Sequence, residues 1–280
     1  MSTLKNKIDF EVLVSVTNAN PNGDPLGGNR PRTDYEGFGE ISDVCIKRKI
    51  RNRMQDMGNE IFVQSDDRCS DGKKCLKDRA KDLEKIKDDV ELAEIACDTW
   101  IDVRSFGQVF AFKGFGCSSV GVRGPVSIHL AKSVNTVDVQ SMQITKSVSG
   151  EKKESGERGS DTMGTKHFVR FGLYTIKGSI NVQLAEKTGF TEEDSETVKE
   201  CLRTLFENDA SAARPDGSME VIKLWWWKHN CRDGQYSSAK VHRLVDVKLK
   251  EGITEPTCVE DYIITLETLD GLDCEEIDGI

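Results

Sequence analysis

No stretch of the sequence approaches the roughly 20 consecutive apolar residues that crossing a bilayer requires. The opening segment, Met1 to Phe10, is polar and charged rather than an apolar leader. A soluble, unexported, cytoplasmic protein without membrane contact is therefore expected. Paired cysteine spacing is also missing. The nine cysteines are odd in number, which points to reduced thiols rather than a disulfide framework. Cys69, Cys75 and Cys97, and His229 with Cys231, do not have the C-x2-C arrangement of a structural zinc site, so no metal site is assigned. A Ser/His/Asp set, a P-loop and a dinucleotide fingerprint are absent too. No catalytic residues and no cofactor are expected, and the protein is not read as an enzyme. His129 and His242 fall within apolar patterns and read as structural.

Basic residues are absent from residues 251–280, where Glu251, Glu255, Glu260, Asp261, Glu267, Asp270, Asp273, Glu275, Glu276 and Asp278 all lie. The formal net charge of −9 therefore belongs to this acidic segment, and the rest of the chain is close to neutral. Net charge then does not exclude nucleic acid, because phosphate binding depends on where cations gather. They gather most densely between Val44 and Arg53, which holds Lys47, Arg48, Lys49, Arg51 and Arg53 and no acid. With 37% hydrophobic and 31% charged residues and a mean hydropathy of −0.48, one core with long excursions is expected rather than two independent domains.

Apolar residues alternate at Ile8, Phe10, Val12, Val14 and Val16, the period of a half-buried strand. A turn-rich loop from Asn20 to Arg30 follows. Ser42 is placed to cap a helix with Ile46, Ile50, Met54 and Met57 on one stripe and Gly58 as its stop. Lys47, Arg48 and Arg51 share a sector away from that stripe, so a packed face and an exposed cationic face are expected. A charged helical stretch is expected from about Leu76 to Cys97. Val120, Val122, Val126, Ile128 and Leu130 predict a second strand, with an edge position or bulge at Pro125. Alternation from Tyr174 to Leu184 predicts a third. Thr191 with Asp194 resembles a capping box ahead of the stripe Val198, Cys201, Leu202, Leu205 and Phe206, and Val221 to Trp227 predicts a further strand. Of the three tryptophans Trp225, Trp226 and Trp227, which could stack bases, alternation is expected to place one in the core and another at a subunit contact.

The order strand, helix, strand, strand, helix, strand is the split βαβ pattern of α+β ferredoxin-like and RNA-recognition-motif folds. A single such domain is expected, interrupted by insertions at 59–118 and 131–170. The centre of the second, Ser147 to Gly164, reads as the mobile tip of a hairpin arm. The segment Asn18 to Arg53 brings together Arg30, Arg32, the helix start at Ser42 and the basic helix. A helix N-terminus with arginines and lysines beside it can form a groove for a phosphate backbone; a solvated charged face beside a flexible loop is the alternative.

The run TNANPNGDPLGGNRPRTDYEGFGEISDVCIKRKIRNRMQD (Thr17 to Asp56) closely resembles the N-terminal motif of the CRISPR-associated Csd/Csh-type backbone proteins. These belong to the RAMP superfamily and are the repeated subunits of type I Cascade complexes; the likeness is greatest to type I-C. DVRSFGQVFAF (Asp102 to Phe112), GPVSIHLAKSV (Gly124 to Val134), SDTMGTKHFVRFGLY (Ser160 to Tyr174), LWWWKHN and SSAKVHRLVDVK (Leu224 to Lys248) agree with it. The resemblance implies a modified RRM palm with fingers at 59–118 and a thumb hairpin at 131–170, stacked into a filament of copies along CRISPR RNA. Other Cascade subunits and target DNA, met through guide pairing, are the remaining partners implied. Carried onto this chain, Arg30, Arg32, Lys47, Arg48, Lys49 and Arg51 would hold guide phosphates beside Ser42, and Phe106 would stack or pack. Met163 would be the wedge that displaces a base, with Lys166 and His167 beside it. The alternative implied by related type III subunits is a metal-dependent endoribonuclease using Asp24, Asp34 or Asp43. Turn and helix-start positions favour structural roles for these carboxylates.

Overall fold

The computed structural model describes residues 2–145 and 163–280. The chain begins β1 (Ile8–Ala19), β2 (Gly23–Asp24), β3 (Arg30–Pro31), β4 (Phe38–Ile41) and α1 (Asp43–Asp56). It continues through α2 (Leu76–Arg79), α3 (Asp89–Thr99), α4 (Ile101–Phe106), β5 (Gln108–Phe110) and β6 (Val120–Val122). Next come β7 (Val126–Ile128), β8 (Ala131–Thr136), β9 (Val139–Thr145) and β10 (Met163–Ile180). The last part holds α5 (Val182–Thr188), α6 (Glu192–Arg203), β11 (Met219–Lys228), α7 (Ser238–Val241), β12 (Val245–Leu249), β13 (Tyr262–Leu266) and β14 (Cys274–Asp278).

β1 lies between β10 and β11, antiparallel to both, and β7 pairs with the far end of β10. Reduced to its core, the order β11-β1-β10-β7 is that of a split βαβ sheet. The observed class is α+β around an antiparallel sheet, extended by β14 beyond β11 and by β8 and β4 beyond β10. Ile8, Phe10, Val12, Val14 and Val16 face one core with Ile46, Ile50 and Met54 of α1 and Val198, Cys201 and Leu202 of α6. The caps form where expected. Ser42 Oγ accepts from the Cys45 amide, Thr191 and Asp194 make both bonds of a capping box, and Gly58 at φ +82° follows the end of α1.

The other face of β1 is not solvated. Residues 229–272 fold back over it, and Leu13, Leu173, Trp225, Trp227, Val241, Leu244 and Tyr262 make a second core there. The expectation of a half-buried strand is corrected accordingly: Asp9 and Glu11 are as buried as their apolar neighbours. Trp226 stacks on Phe10 with ring centroids 5.6 Å apart, and all three tryptophans are buried, so none is exposed to meet a subunit. On the second face, His229 Nε2 donates to Asp9 Oδ2 at 2.8 Å, while its Nδ1 accepts from the Gln235 amide. His242 Nε2 donates to the Gly178 carbonyl at 3.0 Å.

Three boundaries differ from expectation. The second strand breaks at Pro125, whose missing N–H cannot continue a ladder. β6 pairs with β5 and β7 joins the main sheet. At the crossing, a Cβ on Gly124 would lie 2.3 Å from the Ser105 carbonyl oxygen, so only glycine lets the two backbones approach. The third strand starts earlier and ends at Ile180. Asn181 accepts from the Leu184 amide and caps α5, where Val182, Ala185 and Thr188 are buried at helical spacing. The helical stretch expected from Leu76 to Cys97 is broken into α2, a 3-10 turn and α3. These pieces and β5–β6 enclose a third core of Phe62, Leu83, Leu92, Trp100, Phe110 and Val120.

β9 pairs with β10 from Val139 opposite Val169 to Thr145 opposite Met163, whereas β1 pairs with β10 only as far as Val169. Residues 163–168 and their β9 partners therefore stand clear of the sheet as a two-stranded arm, with Met142, Ile144 and Met163 exposed. The tip expected at Ser147 to Gly164 lies outside the described residues except for Met163 and Gly164.

Glu11 is 1% exposed, and burial pushes its carboxyl up to about 7, with Lys177 at 3.5 Å pulling the other way. A carboxyl whose pKa is raised on folding contributes stability that is present below the unfolded value and lost as pH rises through the folded one. That loss is about 3 kcal/mol between pH 4.5 and 8. Replacing Glu11→Gln should raise the melting temperature relative to the parent at pH 8 and have little effect at pH 5. A difference independent of pH contradicts this account.

Candidate nucleic-acid interface

The turn-rich loop is a small hairpin. Asp24 accepts from the Leu26 amide through its side chain and from the Gly27 and Asn29 amides through its carbonyl, while Gly28 and Asn29 take positive φ. Asn22 Oδ1 accepts from both the amide and the hydroxyl of Ser42, at 2.9 and 2.8 Å, and so ties the hairpin to the start of α1. Ser42 thus acts as a joint and a cap. Arg32 pairs with Asp24 at 3.4 Å. Arg30 reaches the base of the arm, where its Nη1 donates to Ser141 Oγ at 2.8 Å beside His167 Nδ1.

The cations of α1 do not form an open face. Lys47 pairs with Asp43 at 3.0 Å, and Arg48 donates to the Val63 carbonyl at 2.6 Å. Lys49 is 4% exposed and ion-paired with Asp209. Arg51 Nε binds Asp102 Oδ2 at 2.8 Å, and its guanidinium lies over the Phe106 ring, 5.0 Å from the centroid. Phe106 is packed in this way and not free. The expected cationic sector is corrected because α1 is flanked by residues 61–68 on one side and 207–214 on the other. A charge taken out of water must find a partner.

What these contacts produce is a pocket of about 270 Å³. Arg48, Lys49, Arg68 and Arg214 line it, with Asp67 and Asp209 as the acids. Asn52 Oδ1 and Ser65 Oγ, also in its lining, are buried without a hydrogen-bond partner. Burial holds the Arg48 guanidinium and the Lys49 ammonium below their ordinary values; neighbouring Arg51 adds to this for Arg48, and Asp209 opposes it for Lys49. The floor is set by Asn208, a non-glycine residue at φ +57° whose carbonyl accepts from Arg68 Nη2 at 2.6 Å. Sequence reasoning missed Arg68, Arg214, Asn52 and Ser65. The two arginines stand outside any cationic run, and only tertiary contact brings them to α1.

The structure therefore joins Arg48 and Lys49 in one place, and Arg30 and His167 in another. Met163 and Lys166 lie farther out on the arm, paired with Thr145 and Met142 across the ladder. The three carboxylates of the alternative reading are held apart by separate tasks. Asp24 shapes its turn and pairs with Arg32, and Asp43 pairs with Lys47. Asp34 accepts from the Glu36 and Phe38 amides, and Lys132 at 2.6 Å keeps its carboxyl below the usual range. Among the described residues no group of three or more His, Cys, Asp or Glu side chains is arranged to hold a metal ion.

A family model described as CRISPR-associated protein Cas7 matches residues 6–267. The chain belongs to the Cas7 family. A relative from Haloferax volcanii, named CRISPR-associated protein Cas7, is 28% identical over 233 residues, covering 76% of this chain and 68% of its own. A solved chain from a CRISPR RNA-guided surveillance complex in a pre-nicking state superposes with a TM-score of 0.50 at 17% identity. The match covers 79% of this chain and 78% of that one, a likeness of fold.

Arg51 is expected to matter first for folding. Removing it leaves Asp102, fully buried and bonded to the Phe62 and Val63 amides, without a counter-charge. Arg51→Ala should lower stability in urea by about 3–5 kcal/mol. A loss below about 1 kcal/mol contradicts the pairing as a structural link.

Proposed function

We propose that this chain is a non-catalytic backbone subunit of a CRISPR RNA-guided surveillance complex, binding single-stranded guide RNA through its phosphates. The observation that carries the reading is the pocket beside α1. Four cations, Arg48, Lys49, Arg68 and Arg214, converge there against Asp67 and Asp209, with Asp56 paired to Arg68 behind them. That is the chemistry of an anion site that does not read bases. Membership of the Cas7 family and the surveillance complex from which the superposed chain comes support the same direction.

Guide phosphates pass Arg48, Lys49, Arg68 and Arg214 and continue along the wall made by Arg30, Arg32 and the start of α1. The projecting β9–β10 ladder serves as the thumb and the insertion at 59–118, closed by β6, as the fingers. Met163, 65% exposed at the outer end of the described ladder, is the candidate for an apolar wedge against a base. Copies of the chain assemble side by side on the guide together with other subunits in a type I-C-like complex in the cytoplasm. Target DNA is met by pairing with the exposed guide bases.

Replacing both Arg48→Ala and Arg214→Ala should weaken binding of unrelated single-stranded RNAs equally, by about tenfold or more at fixed salt. The slope of log affinity against log salt should fall by about 0.7 for each phosphate the variant no longer neutralises. Unchanged affinity and slope in a folded double variant would overturn the groove, and a sequence-dependent weakening would overturn phosphate readout.

A further inference from the structure

The arm and the β2–β3 hairpin meet at three side chains, Arg30, Ser141 and His167. Arg30 Nη1 lies 2.8 Å from Ser141 Oγ and 3.4 Å from His167 Nδ1, and Ser141 Oγ is 2.8 Å from the same Nδ1. A guanidinium has only N–H groups to offer, so His167 bonds Arg30 only when Nδ1 presents a lone pair. In that neutral tautomer the ring proton sits on Nε2. Ser141 accepts from Arg30 and donates its own hydroxyl proton to Nδ1. Strand register sets the meeting, since His167 stands directly opposite Ser141 in the β9–β10 ladder.

We propose that His167 is a positioning residue that acts through Arg30: neutral, it clips the guanidinium to the base of the arm and makes hairpin and arm one wall of the RNA groove. Protonated, it expels Arg30. The proposal rests on the RNA-binding reading above. An imidazolium would set N–H against N–H and place two like charges 3.4 Å apart. The elements packed on His167 offer no free counter-charge among the described residues. β9 supplies Ser141 and Gln143 on this face, both uncharged, and the hairpin supplies Arg30 with the Asp24–Arg32 pair. Lys166 and Arg170 on its own strand fall on the opposite face by alternation. A histidine that touched the guide directly would gain affinity on acidification, because a new positive charge would face phosphate. A histidine that positions Arg30 loses it. The two roles predict pH profiles of opposite sign.

The test is the dissociation constant for an unstructured single-stranded RNA at pH 8 and pH 5.5, at constant ionic strength. It is measured for the parent chain, for His167→Gln and for Ser141→Ala. Glutamine can accept from Arg30 and Ser141 but cannot take a proton. Acidification should weaken the parent about tenfold more than the glutamine variant, and Ser141→Ala should flatten the profile as well. In the absence of RNA, hydrogen exchange corrected for intrinsic rates should show Gly28–Arg30 and β9 losing protection at pH 5.5 in the parent but not in His167→Gln. Equal profiles overturn the proposal. So does a parent that tightens on acidification while the glutamine variant does not, the mark of direct guide contact. If the parent binds no RNA at either pH, the RNA reading fails and exchange still decides the clip. If His167→Gln does not fold, the exposed Ser141→Ala change decides it.

Discussion

A helix carrying five cations can lie against a hydrophobic sheet only if each one it buries meets a partner, since an unpaired charge in that setting costs several kcal/mol. This constraint organises the molecule around α1. Asp102 reaches from α4 to Arg51, and Asp209 reaches from the loop after α6 to Lys49. Asp43 and Asp56 serve Lys47 and Arg53 from within the helix itself. Asp102 also accepts the Phe62 and Val63 amides, so the same carboxylate that neutralises Arg51 fixes how residues 61–122 leave the helix. The pocket is what remains where this pairing is incomplete, with Arg48 bonded to a neutral carbonyl and Arg214 sharing Asp209 with Lys49.

The second constraint is that β1 is buried on both faces. The apolar face holds α1 and α6, and the other is covered by the chain after β11, clasped to Asp9 by His229, while Lys177 of β10 links Glu11 to the His242 carbonyl. The acidic C-terminal segment belongs to this arrangement. β14 pairs with β11, and Glu275, Glu276 and Asp278 meet Lys199 and Lys223. Its charge is thus partly neutralised at the sheet edge opposite β4, and the helix-side pocket keeps its own cationic balance.

Features set by neighbours in sequence were legible in advance. Alternation from Ile8 to Val16, the stripe Ile46, Ile50 and Met54 (though not Met57, which caps α1 and is exposed), the Ser42 cap and the Thr191–Asp194 box are all decided within a few residues. Those that went astray depend on distant partners. Val182 and Leu184 continue the alternation of β10, yet Asn181 caps a helix there. The polar residues of β1 looked solvated because nothing local announces the layer that covers them. The same holds for the site. The basic run on α1 marked the right helix, but the exposed face expected of it became a set of paired charges, and Arg68 and Arg214 join from 15 or more residues outside the run.

Photocrosslinking of the chain to a uniformly 4-thiouridine-substituted single-stranded RNA, followed by peptide mapping, tests the guide path most directly. Crosslinks in the peptides that contain Cys45–Asn52, Ser65–Arg68 and Asn208–Arg214 are predicted. Crosslinks confined to the C-terminal layer or to the acidic edge strand would contradict a phosphate path along α1.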